Sequence, residues 1–111
     1  YPLAASWGDP VMIALPGVVL VSGNDPTAAW SRAEFDMPDV MIRAFAGDQN
    51  RLYALSLVHG IFVSEDRGLH WHKMVLDLPE HELMDIDAQA GRLCVLMVGG
   101  RVAVIESERG N

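Results

Sequence analysis

Apolar and polar positions along this chain alternate with a period of two, and turn-forming residues interrupt them at short intervals. ELMDIDA (82–88) alternates and reads as a strand, and RVAVIES (101–107) is read the same way. Alternation places successive side chains on opposite faces of a pleated strand, so both segments predict half-buried β-strands. RLCVLMV (92–98) is continuously apolar and predicts a strand buried on both faces. HKMVLDL (72–78) supplies a fourth strand, and Ile61–Val63, β-branched or aromatic, suit a strand as well. The breaks fall at Ala-Gly, Gly-Gly and Pro positions and at a Ser/Asp/Gly cluster. No stretch sustains a 3.6-residue period, so the expected class is all-β.

The pattern also repeats. WSRAEFDMP (30–38) lies over WHKMVLDLP (71–79) at an offset of 41, with Trp30 on Trp71, Asp36 on Asp77 and Pro38 on Pro79. NRLYALSL (50–57) lies over GRLCVLMV (91–98) at the same offset, with Arg51 on Arg92 and Leu52 on Leu93. GVVLVS (17–22) matches GIFVS (60–64), and SEDRG (64–68) matches ESERG (106–110), both at 42. The repeats run approximately over 1–41, 42–82 and 83–111, the last incomplete. Four short strands in about 40–45 residues is the spacing of a propeller blade. The Gly-His and Trp-Asp pairs of WD40 repeats are absent from the required places.

Residues 64–71, SEDRGLHW, carry the clearest local signal. Ser64 and Asp66 have short oxygens suited to bonding backbone N–H groups in a tight turn. Gly68 can take a positive φ, and Trp71 can anchor the outgoing strand on an apolar surface. Nothing in the octet is a reactive group. It resembles the Asp box, or BNR repeat, of sialidase-like and related propellers, whose pattern is Ser or Thr, any, Asp, any, Gly, any, Ser or Thr, Trp. Ser64, Asp66, Gly68 and Trp71 match, while His70 stands where a hydroxyl is usual. In that family the box joins the third and fourth strands of a blade at its periphery, and its role is structural. A degenerate copy, SGNDPTAAW (22–30), keeps Ser22 and Trp30, and a last one at 106–110 stops before any Trp.

The resemblance implies a partial β-propeller of about 2.7 four-stranded antiparallel blades, since 111 residues divided by 41 gives that number. Closed propellers have about 4–8 blades, so such a chain cannot close a ring alone. It is then expected to belong to a longer propeller, or to have its missing faces covered by other chains. A short two-sheet packing is the remaining alternative.

Composition narrows the partners. Half of the residues are hydrophobic and the net charge is −7, with the acids scattered and no basic block. That argues against nucleic acid and anionic membrane surfaces. No run reaches about 18 uninterrupted apolar residues, so no membrane span is expected. A lone Cys94 excludes an internal disulfide and leaves the compartment open; it reads as a small core residue. The chain begins at Tyr1 without Met or a signal peptide, which reads as processing or excision from something longer. Asp-box proteins are often extracytoplasmic, so that compartment is slightly favoured.

Candidate chemistry is sparse. The resemblance would bring an Arg-Ile-Pro motif if the chain were a sialidase, but Arg43 is preceded, not followed, by Ile42. Tyr53 sits in a strand at the position that repeats as Cys94, which suits packing rather than nucleophilic duty. Asp85 and Asp87 share a strand face, although nothing marks them as buried; a retaining glycosidase needs two carboxyls about 5 Å apart. His70 and His72 flank Trp71 and project to one face, with His59 and His81 nearby, yet His-x-His alone is a weak metal signal. No acidic stretch has EF-hand spacing. Arg51 and Arg92, one repeat apart, suggest a structural role at a strand start. The expectation is a non-catalytic scaffold or protein-recognition module without metal or cofactor, whose partner is a protein or further blades, a homo-oligomer included. The alternative is a fragment of a carbohydrate-active propeller whose catalytic residues lie elsewhere.

Overall fold

A computed structural model describes residues 4–6, 10–22, 29–38, 40–47, 51–56, 58–89 and 91–106. They form three sheets in chain order, with no α-helix among the described residues. Sheet I contains β1 (Ala4–Ser6), β2 (Val11–Leu15), β3 (Val18–Ser22) and β4 (Ser31–Arg32) as an antiparallel meander. Sheet II contains β6 (Ile42–Gly47), β7 (Leu52–Ser56), β8 (Gly60–Ser64) and β9 (His70–Lys73), again antiparallel. A fifth strand, β5 (Glu34–Phe35), joins the outer edge of sheet II in parallel with β9. Sheet III contains β10 (Leu83–Gln89), β11 (Arg92–Met97) and β12 (Arg101–Glu106), and a 3-10 turn at Glu80–Glu82 leads into it.

The pairing registers make the repeat a physical one. In sheet II, Ala46 pairs with Tyr53 and Tyr53 with Val63; in sheet III, Asp87 pairs with Cys94 and Cys94 with Val104. Each partner is displaced by 41 residues. Even the irregularity recurs, between Ile42 and Ala44 and again between Leu83 and Asp85. A β-bulge bends its strand, so its return at the same step gives the two sheets the same curvature. Between sheets I and II the offset changes from 41 to 42 inside one hairpin. Leu15 pairs with Val18 across two residues, whereas Ser56 pairs with Gly60 across three.

Two apolar layers separate the three sheets. Met12, Ala14, Val19 and Val21 of sheet I pack with Ile42, Ala54, Phe62 and Trp71 of sheet II, together with Ala33 and Val40. The opposite face of sheet II, Tyr53, Leu55, Ile61 and Val63, packs on Leu83, Ile86, Leu93, Val95 and Met97 of sheet III. Sheet II is thus covered on both faces, which is why every residue of β8 is buried. Successive sheets approach through their first strands, β1 against β6 and β6 against β10.

Three sequence expectations need correction. The sheets are not uniformly four-stranded and antiparallel: among the described residues sheet II has five strands, one of them parallel, and sheet III has three. The chain leaves sheet I within one residue, because Ala33 N–H still bonds Val19 O while Glu34 N–H already bonds Leu69 O, both at 2.8 Å. The fourth strand expected over 72–78 covers only His70–Lys73. Met74 N–H makes one last bond to Ile61 O at 2.9 Å, and Val75 then stands 99% exposed on the way to sheet III. Finally, β11 is not buried on both faces. Leu93, Val95 and Met97 are buried, whereas Cys94 and Leu96 are exposed. No described residue covers that side, so the Cys94 thiol is a surface group rather than a core one.

Candidate functional site

The turn between β8 and β9 is built from its own side chains. Ser64, buried at the end of β8, donates its hydroxyl to Asp66 Oδ1 at 2.9 Å. Ser64 Oγ in turn accepts the N–H groups of Gly68 at 2.9 Å and Asp66 at 3.4 Å. Asp66 Oδ1 also accepts the His70 N–H at 2.9 Å, and the Trp71 indole N–H donates to Gly68 O at 2.7 Å. Arg67 and Gly68 both lie at positive φ, 66° and 89°, so the chain reverses through two left-handed residues. The Ser64 hydroxyl and both carboxylate oxygens of Asp66 are thus engaged within the turn or with His70. The turn is thereby closed by local hydrogen bonds to backbone groups that no strand satisfies.

Trp71 carries the turn into the core. It is 2% exposed, stacks on Phe35 at a centroid distance of 5.5 Å and an angle of 6°, and touches Phe45 at 6.3 Å. Phe35 in turn meets Phe62 edge-on at 5.2 Å. Phe35 belongs to the segment arriving from sheet I, so this aromatic stack ties sheets I and II together at the turn. Sequence reasoning marked Trp71 and missed Phe35. A two-residue parallel strand carries no periodic signal, and the only clue was the position of Phe35 against Leu76 in the repeat.

His70, which occupies the hydroxyl position, gives the turn a titratable clasp. Its Nδ1 lies 2.5 Å from Asp66 Oδ2, and its Nε2 lies 3.8 Å from Glu34 Oε1 on β5. The hydrogen bond and charge of Asp66, with Glu34 adding to them, hold the imidazole above its ordinary value against a small desolvation cost. For Asp66, partial burial pushes the carboxyl up. The His70 N–H and imidazole and the Ser64 hydroxyl together outweigh it, and the group ends below its ordinary value.

The other candidates disperse. Ser22 is buried at the end of β3 and Trp30 is half-buried, but residues 23–28 of the degenerate copy lie outside the described residues, as do 107–111 of the last one. The strand register keeps the 41-residue offset through Leu93 and Ile105, which places Ser64 over Ile105 rather than Glu106. An ion pair follows the same register: Arg51 Nε lies 2.9 Å from Glu65 Oε2, and Arg92 Nε lies 3.2 Å from Glu106 Oε2. Both partners of the second pair stand 41 residues beyond the first. Asp85 and Asp87 are exposed on β10, each accepting the N–H of the following residue at 2.9 Å. Tyr53 is buried between sheets II and III. Among the described residues no three His, Cys, Asp or Glu side chains are grouped to hold a metal ion, and no helix is long and apolar enough to cross a membrane. A cleft of about 570 Å³ between β3 and the 32–40 segment, lined by Val18, Arg32, Glu34, Phe35 and Met37, presents no convergent titratable pair.

Among the described residues, the free side of sheet III presents an exposed apolar strip. Cys94 and Leu96 on β11 lie directly opposite Val104 and Val102 on β12, and these two valines are 60% and 59% exposed. Asp85 and Asp87 border this apolar strip along β10. A scan against protein-family models and a search of curated proteins find no match to this chain.

Proposed function

We propose that the chain is a run of Asp-box propeller blades that works as a non-catalytic scaffold or protein-recognition module. The observation that carries this reading is the use of the turn's polar groups: Ser64 and Asp66 are consumed in holding the chain reversal, and Trp71 in holding sheet II. The Ser64 Oγ accepts two N–H groups and Asp66 Oδ1 takes two hydrogen bonds, all within the turn, at distances of structural bonds. The recurring register, the repeated bulge and the approach of successive sheets through their first strands support the blade reading. The apolar strip Cys94, Leu96, Val102 and Val104 supports a recognition role, because an exposed contiguous sheet face marks a contact surface.

The test is a panel of fluorogenic glycosides, sialosides included, offered to the intact chain alongside a photo-reactive side chain placed at Val104. The expected result is no turnover, with protein adducts at position 104 and none at Val75, which is more exposed but off the face. Turnover that Asp85→Asn or Asp87→Asn abolishes would overturn the reading in favour of a carbohydrate-active enzyme.

A further inference from the structure

We infer that the free face of sheet III is covered by the free face of sheet I from a second copy of this chain, so that two copies close into one ring of six sheets. The inference rests on the blade reading above and names the partner that reading requires. Its basis is that each internal interface pairs the same two faces. Tyr53, Leu55, Ile61 and Val63 of sheet II are buried against sheet III. Met12, Ala14, Val19 and Val21, their equivalents in sheet I, are buried against sheet II. The third set in register, Cys94, Leu96, Val102 and Val104, is the exposed strip.

The complementary face is also present once outside both apolar layers of the described residues. In sheet II that face carries Ala54 and Phe62, and in sheet III Val95 and Ala103. Their equivalents in sheet I are Ile13 and Leu20, which pair across β2 and β3, with Leu15 and Val18 beside them. These four side chains are half-buried, as expected where strands flank them within the sheet, yet they belong to neither apolar layer. One molecule therefore offers one face of each kind at its two ends, and these faces join head to tail. A heterologous contact of that sort makes a ring when its rotation closes. Two copies give six sheets, within the range of about four to eight for closed propellers, and three copies give nine, outside it. First strands face the axis of such a ring, so Asp85 and Asp87 on β10 meet the small, exposed Ala5 of β1 and keep their water.

The experiment uses the intact chain and its native Cys94 as the reporter. Sedimentation equilibrium across the micromolar range, with thiol labelling of Cys94 at each concentration, is expected to give a species of twice 12.2 kDa in which the thiol is protected. Val104→Glu should raise the midpoint concentration of assembly about tenfold or more, the scale of an interface hot spot. Leu20→Cys should form an intermolecular crosslink to Cys94 that disappears in the Cys94→Ser background. A monomer at all concentrations with a freely labelled Cys94 would overturn the inference, and so would predominant Cys94–Cys94 crosslinking, which marks a face-to-face pair. Val63→Cys in the Cys94→Ser background separates this failure from that of the blade reading. If position 63 resists labelling while the chain stays monomeric, the sheet stack stands and only the second copy is wrong. If position 63 labels readily, the stack itself is wrong.

Discussion

At the scale of single residues, the behaviour of the 64–71 turn follows from where its oxygens and ring nitrogens point. The buried Ser64 hydroxyl accepts two backbone N–H groups and donates to the more exposed Asp66. Ser64→Ala leaves those donors without a partner, so it is expected to cost about 1–3 kcal/mol in chemical denaturation. Trp71→Ala removes a ring that packs on Phe35 and Phe45 and should cost about 3–5 kcal/mol. Trp71→Phe should recover part of that loss, forfeiting the bond to Gly68 O and the packing of the larger indole. A near-neutral Trp71→Ala would show that the indole serves the surface rather than the core.

The His70–Asp66 pair sets a pH window. His70 titrates above its ordinary 6.5, so its contribution is fully present below that value and is lost as pH rises through the raised one. Asp66 titrates below its ordinary 3.8, so its contribution is present above that value and is lost as pH falls through the lowered one. The clasp is complete between the two ordinary values. Thermal melts of the wild type and His70→Gln should differ most in that interval and converge as pH rises through the raised His70 value. The groups facing the imidazole are Asp66 and Glu34, and Glu34→Gln should narrow the difference less than Asp66→Asn does. The recognisable part of this site was Ser64, Asp66, Gly68 and Trp71, whose bonds span at most four residues. Glu34 and Phe35 reach it from more than thirty residues away, so no local pattern could indicate them.

At the scale of elements, β5 is the exceptional piece. Two residues long and parallel to β9, it adds a strand of sheet-I origin to the edge of sheet II. Its backbone bonds are few, so the stacking of Phe35 on Trp71 supplies much of its hold. Phe35→Ala and Trp71→Ala should therefore be non-additive, with a coupling of about 0.5–1.5 kcal/mol in a double-mutant cycle, as for other aromatic pairs. Additivity would mean that the strand is held by Glu34 and Asp36 alone. Gly68 makes a related point about turns. A Cβ there would meet Met12 Sδ at 3.4 Å and Leu52 and Val21 at 3.5 Å, which is ordinary contact. Gly68→Ala should thus be destabilising through its positive φ rather than through a clash, by about 1 kcal/mol. The hairpins themselves were predictable because alternation and turn residues are properties of ten-residue windows. The end of β9 at Lys73 was not, because Met74, Leu76 and Leu78 turn away to pack between sheets II and III.

At the scale of the whole molecule, burial follows position in the stack. Tyr53 and Cys94 occupy the same place in their sheets, yet one is buried and the other exposed. Leu55 and Leu96 differ in the same way, at 0% and 39% exposure. Substitutions on the open face should accordingly leave stability intact. A Val102→Lys/Val104→Lys variant is expected to unfold at nearly the wild-type denaturant concentration while associating less, whereas Val63→Lys at the equivalent internal position should fail to fold stably. Among the described residues, Leu96, Val102 and Val104 are exposed together on one sheet face, whereas Val58 and Val75 are exposed in the connections between strands.

The amino-acid sequence by itself determined the β period, the 41-residue repeat and the chain reversal at Ser64–Trp71. These depend on strand propensity, turn chemistry and hydrogen bonds between residues close in the chain. The tertiary structure alone decided which apolar strand is wrapped on both sides, which repeat borrows a strand from its predecessor, and which face stays open. RLCVLMV reads as a doubly buried strand, but burial is conferred by a neighbouring sheet and not by the strand's own composition. Sheet II has such a neighbour on each side and sheet III has one, so the same pattern is a core in the first and a surface in the second.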